Sequence, residues 1–254
     1  NTKEKNKLIK LKILAVIPAR MGSSRFPGKP LVKINSIPMI QHVYKNVKKN
    51  KYITDVIVAT CDDIIKKFIL SIGGQVVMTS KKHKRASDRT AEALLKYEKK
   101  TNKKFDIVVM IQGDEPLIKS KMITESILPF VKFKNINVVN LKGKINKDSE
   151  LNDKNCIKVV TDKNNFALFF SRLPIPIKNE KIKAFKQICV IPFRRDYLIY
   201  YNNLKTLDLE LEESIDMLRV LEHGEKVYMQ LTNNIVQSVD VKNDIKKVEK
   251  ILNK

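Results

Sequence analysis

The stretch Val16-Ile17-Pro18-Ala19-Arg20-Met21-Gly22-Ser23-Ser24-Arg25-Phe26-Pro27-Gly28-Lys29-Pro30 runs from an apolar strand into a loop holding two arginines, a lysine and two glycines. Its composition is that of a phosphate-binding loop. Glycines leave backbone N–H groups free to approach phosphate oxygens, and Ser23 and Ser24 add hydroxyl donors. Arg20, Arg25 and Lys29 bring three positive charges to the carboxyl end of the strand. A nucleoside triphosphate fits such a loop. Lys29 is followed by Pro30 and not by Ser or Thr, so the spacing is not that of a P-loop ATPase, nor is it the G-x-G-x-x-G of dinucleotide binders. Only eight of the 50 basic residues are arginines, and two of them fall within six residues here.

Outward from this loop, short β-rich apolar runs alternate with amphipathic stretches. The pattern predicts strands at 11–17, 55–59, 75–78, 106–111 and 137–141. Helices are predicted between them at 39–47, 63–72, 88–99 and 119–132. Such alternation implies a parallel sheet covered on both faces, with ligands bound at the carboxyl ends of its strands. The Arg20 loop, the Thr60-Cys61-Asp62-Asp63 loop and the Gln112-Gly113-Asp114-Glu115-Pro116 loop are all expected on that rim.

Beyond residue 142 the pattern becomes α+β. Strands are predicted at 156–160, 167–170, 187–193, 226–231 and 236–239, and helices at 209–221 and 241–252. The fold class expected is therefore α/β: a mostly parallel mixed sheet flanked by helices, with a smaller α+β part. Residues 1–10 read as a basic tail, and 11–254 as a single domain. Within it, 11–141 form the nucleotide-binding part, 142–235 the part carrying acceptor specificity and subunit contacts, and 236–254 a closing strand and helix.

The 254 residues, 43% hydrophobic and 30% charged, suffice for a sizeable core. The net charge of +23 is lysine spread along the chain without arginine-rich runs or interleaved aromatics, so nucleic acid is not the expected partner. Cys61, Cys156 and Cys189 are odd in number and far apart, which excludes a disulfide framework or zinc site and implies a reducing compartment. His42, His83 and His223 lack metal-ligand spacing. No apolar run reaches the length of a membrane span, and the polar N-terminus lacks a signal-peptide core.

Two further segments carry chemistry. Val108 to Ile111 form a strand that ends in Gln112, Gly113 and the carboxylates Asp114 and Glu115. Asp114, facing basic residues, suits Mg²⁺, because hard divalent ions take carboxylate and substrate phosphate oxygens together. The alternative is a helix N-cap, for which Asp114 stands too early. Glu115 reads as solvated or as a supporting neighbour. Asp240 ends a short strand before a helix and by itself reads most simply as an N-cap.

With these segments in view, the chain resembles the CMP-Kdo synthetase (3-deoxy-manno-octulosonate cytidylyltransferase) family from about Ile13 to Leu252. The resemblance rests on Pro18-Ala19-Arg20 through Arg25-Phe26-Pro27-Gly28-Lys29-Pro30-Leu31, Asp88-Arg89, Gln112-Gly113-Asp114-Glu115-Pro116, Phe170-Ser171-Arg172 with Pro174-Ile175-Pro176, Leu218-Arg219 and Val239-Asp240, in that order. It implies a Rossmann-like nucleotidyltransferase fold and a cytoplasmic, dimeric enzyme of lipopolysaccharide biosynthesis, with the Ser171–Pro176 region and the strands after it at the subunit interface. By the same resemblance Asp114 and Asp240 hold Mg²⁺, reversing the N-cap reading of Asp240. Arg20, Ser23, Arg25, Lys29 and Gln112 surround CTP, Arg89 lies close to nucleotide or sugar, and Arg20, Lys29 and Asp114 serve catalysis. A helix-surface pair of Arg89 with Glu92 is the plainer alternative.

The departures from the family pattern fall on the acceptor side. Gln187 and Ile191 stand where His and Tyr are usual, Asp216 where Glu is usual, and Arg85-Ala86-Ser87 replace Ser-Gly-Thr. Gln187 and Asp216 are expected in substrate binding. Kdo, an amino analogue of it or a nonulosonate all suit this chemistry. Competing readings are a nucleotidylyltransferase for another sugar or sugar phosphate, a non-catalytic binding module and a nucleic-acid-binding protein.

Overall fold

The computed structural model describes residues 2–23, 26–176 and 184–253. Its centre is a five-stranded sheet in the order β11-β6-β1-β4-β5, formed by β1 (Ile13–Pro18), β4 (Asp55–Thr60), β5 (Val76–Met78), β6 (Ile107–Ile111) and β11 (Val190–Arg194). β1 runs parallel to β4 and β6, β5 runs parallel to β4, and β11 closes the β6 edge antiparallel. Both faces are covered, which is why β1 and β6 read as continuous apolar runs and not as alternating ones. Ile13, Ala15 and Ile17 face one hydrophobic layer, built with α2 (Met39–Lys48), α3 (Asp63–Ser71) and α5 (Ser120–Ile127). Leu14 and Val16 face the other, built with α4 (Ala86–Thr101), α8 (Arg195–Asn203) and α10 (Asp216–Glu222).

A second five-stranded sheet, β12-β7-β10-β8-β9, lies beyond the first. Its members are β7 (Val139–Lys144), β8 (Lys158–Thr161), β9 (Ala167–Ser171), β10 (Phe185–Ile188) and β12 (Tyr228–Leu231). The predicted strand at 187–193 divides between the two sheets. β10 pairs antiparallel with β7 and β8, whereas β11 pairs with β6, and Cys189 marks the crossing. The strand expected at 137–141 begins at Val139 and joins the second sheet, pairing with β10 and β12 and leaving the parallel run.

Other boundaries moved for local reasons. Pro129 lacks an N–H and divides the 119–132 helix into α5 and α6 (Pro129–Lys132). The predicted 209–221 helix breaks at Ser214, which adopts φ 55°, into α9 (Asp208–Glu213) and α10. Residues 236–239 form no strand ladder, and the closing helix α11 starts at Asp244 and ends at Leu252. Thr2–Ile9, within the stretch read as a tail, is a helix, α1, whose Leu8 is fully buried. A 3-10 helix at Lys29–Leu31, the small hairpin β2 (Lys33–Ile34) and β3 (Ile37–Pro38) and the helix α7 (Asp148–Leu151) complete the described elements.

Candidate active site

At the carboxyl ends of β1 and β6 lies an open cavity of about 770 Å³, reaching across the junction of the two sheets. Arg20, Ser23, Lys29, Arg89, Gln112, Asp114, Gln187, Asp216 and Asp240 all line it. Arg25 lies outside the described residues. Two strand ends bring the first residues together. Gly113 passes so close to β1 that a Cβ on it would sit 3.4 Å from the Pro18 carbonyl oxygen, so the two loops share one wall. Lys29 Nζ donates to Asp114 Oδ2 at 2.7 Å.

The Arg20 loop departs from its sequence reading in one respect. The N–H groups of Ser23 and Gly28 both donate to the Met21 carbonyl at 3.0 Å, so these amides close the loop on itself. Gly28 does so at φ 76°, in the left-handed region that glycine adopts without steric cost. The Thr60–Asp63 loop, expected on the rim, acts from behind: the Met21 N–H donates to the Asp62 carboxylate at 2.8 Å, and the cavity wall includes none of its four residues.

Asp240 reaches Asp114 without a strand ladder, through one backbone bond from the Val239 N–H to the Asp114 carbonyl at 3.0 Å. Neither aspartate is a helix N-cap. The helix after Asp114 has Lys119 at its N-cap, and α11 has Asn243. The carboxylate of Asp244 instead accepts the N–H groups of Asp240 and Val241, both at 3.0 Å, and fixes the chain direction there. Glu115, 4% exposed, accepts the Cys189 N–H. Burial, with the adjacent charges of Asp114 and Asp240, pushes its carboxyl up to about 8. Asp114 and Asp240 therefore offer two hard carboxylates at one cavity, and among the described residues no group of three or more His, Cys, Asp or Glu side chains is placed to hold a metal ion by itself. That set fits an oxygen-seeking divalent ion whose remaining ligands are phosphate oxygens and water.

Arg89 is 3% exposed and does not pair with Glu92. One terminal nitrogen donates to Thr79 Oγ1, and the other, Nη2, is buried with no hydrogen-bond partner among the described residues. Glu92 is engaged by Lys96, the Ser80 N–H and His83. Although burial opposes it, these bonds lower the Glu92 carboxyl to about 2.

On the far wall, Gln187 Nε2 donates to Asn140 Oδ1 at 2.6 Å, and Asn140, fully buried, donates in turn to the Ile188 carbonyl at 2.7 Å. Ile191 lines the cavity beside them at 2% exposure. Asp216 Oδ2 accepts both the N–H and the hydroxyl of Ser87 at the start of α4. Behind it lies an ion network absent from the sequence reading. Glu210, fully buried, takes a bidentate bond from Arg219 at 2.6 and 2.7 Å. Arg219 also reaches Asp88 at 3.1 Å, and Arg85 Nε lies 3.3 Å from Glu210. The Leu209–Glu213 run alternates leucine and acid and reads as a solvated helix face, so Glu210 gave no signal. Arginine scarcity did carry one: every described arginine either lines the cavity or binds a carboxylate or a row of backbone carbonyls.

A family model described as cytidylyltransferase matches residues 14–227. A 3-deoxy-manno-octulosonate cytidylyltransferase of Fusobacterium nucleatum is 40% identical over 240 residues, covering 94% of this chain and 96% of the relative. This chain belongs to the 3-deoxy-manno-octulosonate cytidylyltransferase family. A member from Thermodesulfovibrio yellowstonii is 41% identical over 250 residues, 94% of this chain and 98% of its own length. A solved CMP:2-keto-3-deoxy-manno-octonic acid synthetase, complexed with CTP, superposes with a TM-score of 0.85 at 32% identity, covering 95% of this chain and 98% of that one. A cytidylyltransferase structure from Leptospira borgpetersenii, 19% identical with a TM-score of 0.63, shares the fold. The family's nucleotidyltransferase fold is the two-sheet α/β architecture described above.

Proposed function

We propose that this chain transfers CMP from CTP to the anomeric hydroxyl of 3-deoxy-manno-octulosonate, releasing pyrophosphate. The observation that carries the reading is the Val239-to-Asp114 backbone bond, which sets Asp240 beside Asp114 in the cavity that holds the Arg20 and Lys29 cations. In our reading Arg20, Ser23 and Lys29 surround the triphosphate, joined by Arg25. Lys29 is oriented by its ion pair with Asp114, and Gln112 lies against the nucleotide. The orphaned Arg89 Nη2 supports a ligand contact, since a buried donor left unmade costs about 1–3 kcal/mol. Asp114 and Asp240 would hold Mg²⁺. Bound there, the ion supplies charge neutralisation at the phosphate oxygens.

The hydroxyl oxygen of the sugar acid forms its bond to the α-phosphorus in line and gives up its proton to solvent, as the bond to the β-phosphate bridging oxygen breaks and pyrophosphate leaves, with no covalent enzyme intermediate. The protein's part is positioning and neutralising charge. Gln187, Ile191 and Asp216 form the acceptor wall and set the choice among 2-keto-3-deoxy sugar acids. We further propose a homodimer through residues 171–176 and the strands around them. β9 is an edge strand of the second sheet, and Leu168 and Leu173 are 62% and 59% exposed. No described helix is long and apolar enough to cross a membrane. A reaction drawing on the CTP pool belongs in the cytoplasm.

Pyrophosphate release is the test, measured with each of the four nucleoside triphosphates, a panel of sugar acids, and Mg²⁺ present or chelated. Turnover is expected with CTP and Kdo and is expected to stop on chelation. Turnover that ignores the base, or survives chelation, refutes the reading.

A further inference from the structure

The acceptor side of the cavity is bounded by segments with no ladder to hold them. Residues 153–156 form a turn after α7, and Arg172 follows the end of β9, yet Asp153, Lys154, Cys156 and Arg172 all line the cavity. Within the turn the Cys156 and Asn155 N–H groups donate to Asp153, and the bonds that join the turn to Arg172 come from behind the wall. Lys158, the first residue of β8, is fully buried. Its ammonium has three donors and no acceptor. They go to the backbone carbonyls of Asp153 at 2.8 Å, Cys156 at 2.6 Å and Arg172 at 2.5 Å.

Arg172 carries the connection onward. Its guanidinium donates to the carbonyls of Lys154 at 3.0 Å, Glu213 at 2.6 Å and Ser214 at 3.1 Å. Its own N–H donates to Glu213 Oε2 at 2.9 Å. Ser214 also takes a bond from Arg85, and two residues on is Asp216 of the acceptor wall. Gln187 is tied to the same unit, because its N–H donates to the Ile157 carbonyl at 2.8 Å. Six carbonyls, five from irregular chain and one from the end of α9, thus converge on two cations, and Lys158 is fully buried.

We propose that Lys158 is a positioning residue for sugar-acid binding: its buried ammonium pins the 153–156 turn and Arg172 into a preformed acceptor wall. The assignment of this side to the sugar acid rests on the function proposed above. A buried ammonium is suited to the task because its three tetrahedral donors meet three carbonyls from two segments at one point. Neither an apolar side chain nor the planar fork of arginine reproduces that geometry. The triphosphate side, built on β1 and β6, makes none of these bonds. Losing the ammonium should therefore be felt by one substrate and not by the other.

Lys158→Met and Lys158→Arg, compared with the unmodified chain, test this. With Kdo and CTP as substrates, Lys158→Met is expected to raise KM for Kdo tenfold or more and to leave KM for CTP within twofold. Lys158→Arg keeps the charge and is expected to raise KM for Kdo by a smaller factor, three- to tenfold, again sparing CTP. If the Met variant does not fold, the Arg variant decides. Hydrogen exchange at residues 153–157 and 172–173 is expected to quicken at least tenfold in either variant, with Ile13–Pro18 and Ile107–Ile111 unchanged. Equal changes in both KM values, unchanged KM for Kdo, or unchanged exchange in the turn would each overturn the proposal. Should the unmodified chain not turn over CTP with Kdo, the functional reading fails, and the exchange measurement still decides whether Lys158 pins the turn.

Discussion

Replacing Glu210 by Gln attacks the buried ion network behind Asp216 and has a magnitude that follows from the geometry. Glu210 is fully buried and Arg219 is 2% exposed, so water cannot compensate either charge once its partner is gone. Breaking one partner of such a pair costs about 3–5 kcal/mol. The low end applies, because Arg219 keeps Asp88 at 3.1 Å and its position 4.6 Å over the Tyr201 ring. For a chain of this size, about 3 kcal/mol corresponds to a fall in Tm of roughly 6–12 °C. Urea or thermal unfolding of Glu210→Gln, Arg219→Met and the double variant Glu210→Gln/Arg219→Met measures it. The double variant should be less destabilised than the two single changes together, by about 2 kcal/mol or more, because each single change strands a charge that the double change removes. Single-variant costs under about 1 kcal/mol, or simple additivity, would refute the account.

Other expectations concern the chemistry. Asp114→Ala and Asp240→Ala should each lower kcat by roughly 10²–10³, the scale of losing one group that stabilises transition-state charge. Full pyrophosphate release in either variant would remove that residue from the proposed metal site. Arg89→Met should weaken substrate binding while costing little stability, since it also removes the buried unpaired Nη2; an unchanged KM for both substrates would show that Arg89 serves packing alone. Glu92 is held below its ordinary value, so its contribution is present above about pH 4.5 and is lost as pH falls towards 2. Glu92→Gln should therefore lower the unfolding free energy at pH 7 by on the order of 1 kcal/mol, the pair being partly exposed, and have almost no effect near pH 2. Equal destabilisation at both pH values would exclude an ionic origin.

The local sequence decided a good deal. Hydrophobic runs at 11–17, 55–59 and 106–111 could be buried only in a sheet covered on both faces, and the helices between them showed their apolar stripes. The loop from Arg20 to Lys29 stood out as a candidate anion site because arginine is scarce in this chain and falls there twice. The Gln112–Pro116 turn identified itself by standing at the end of a buried strand. All of these signals are short in range, so composition and periodicity carry them.

Contacts across long separations remained for the folded chain to decide. Whether Asp240 meets Asp114 depends on a bond spanning more than a hundred residues, and by itself its sequence context favoured a helix cap. Gln187 and Ile191 were read from a single strand, but they stand in two sheets because the chain changes partners at Cys189, where no proline or glycine marks the crossing. Glu210 and Lys158 looked like two more charges in a chain full of them. Burial distinguishes them, and burial is set by what the rest of the molecule packs around a side chain, which its neighbours in sequence do not encode.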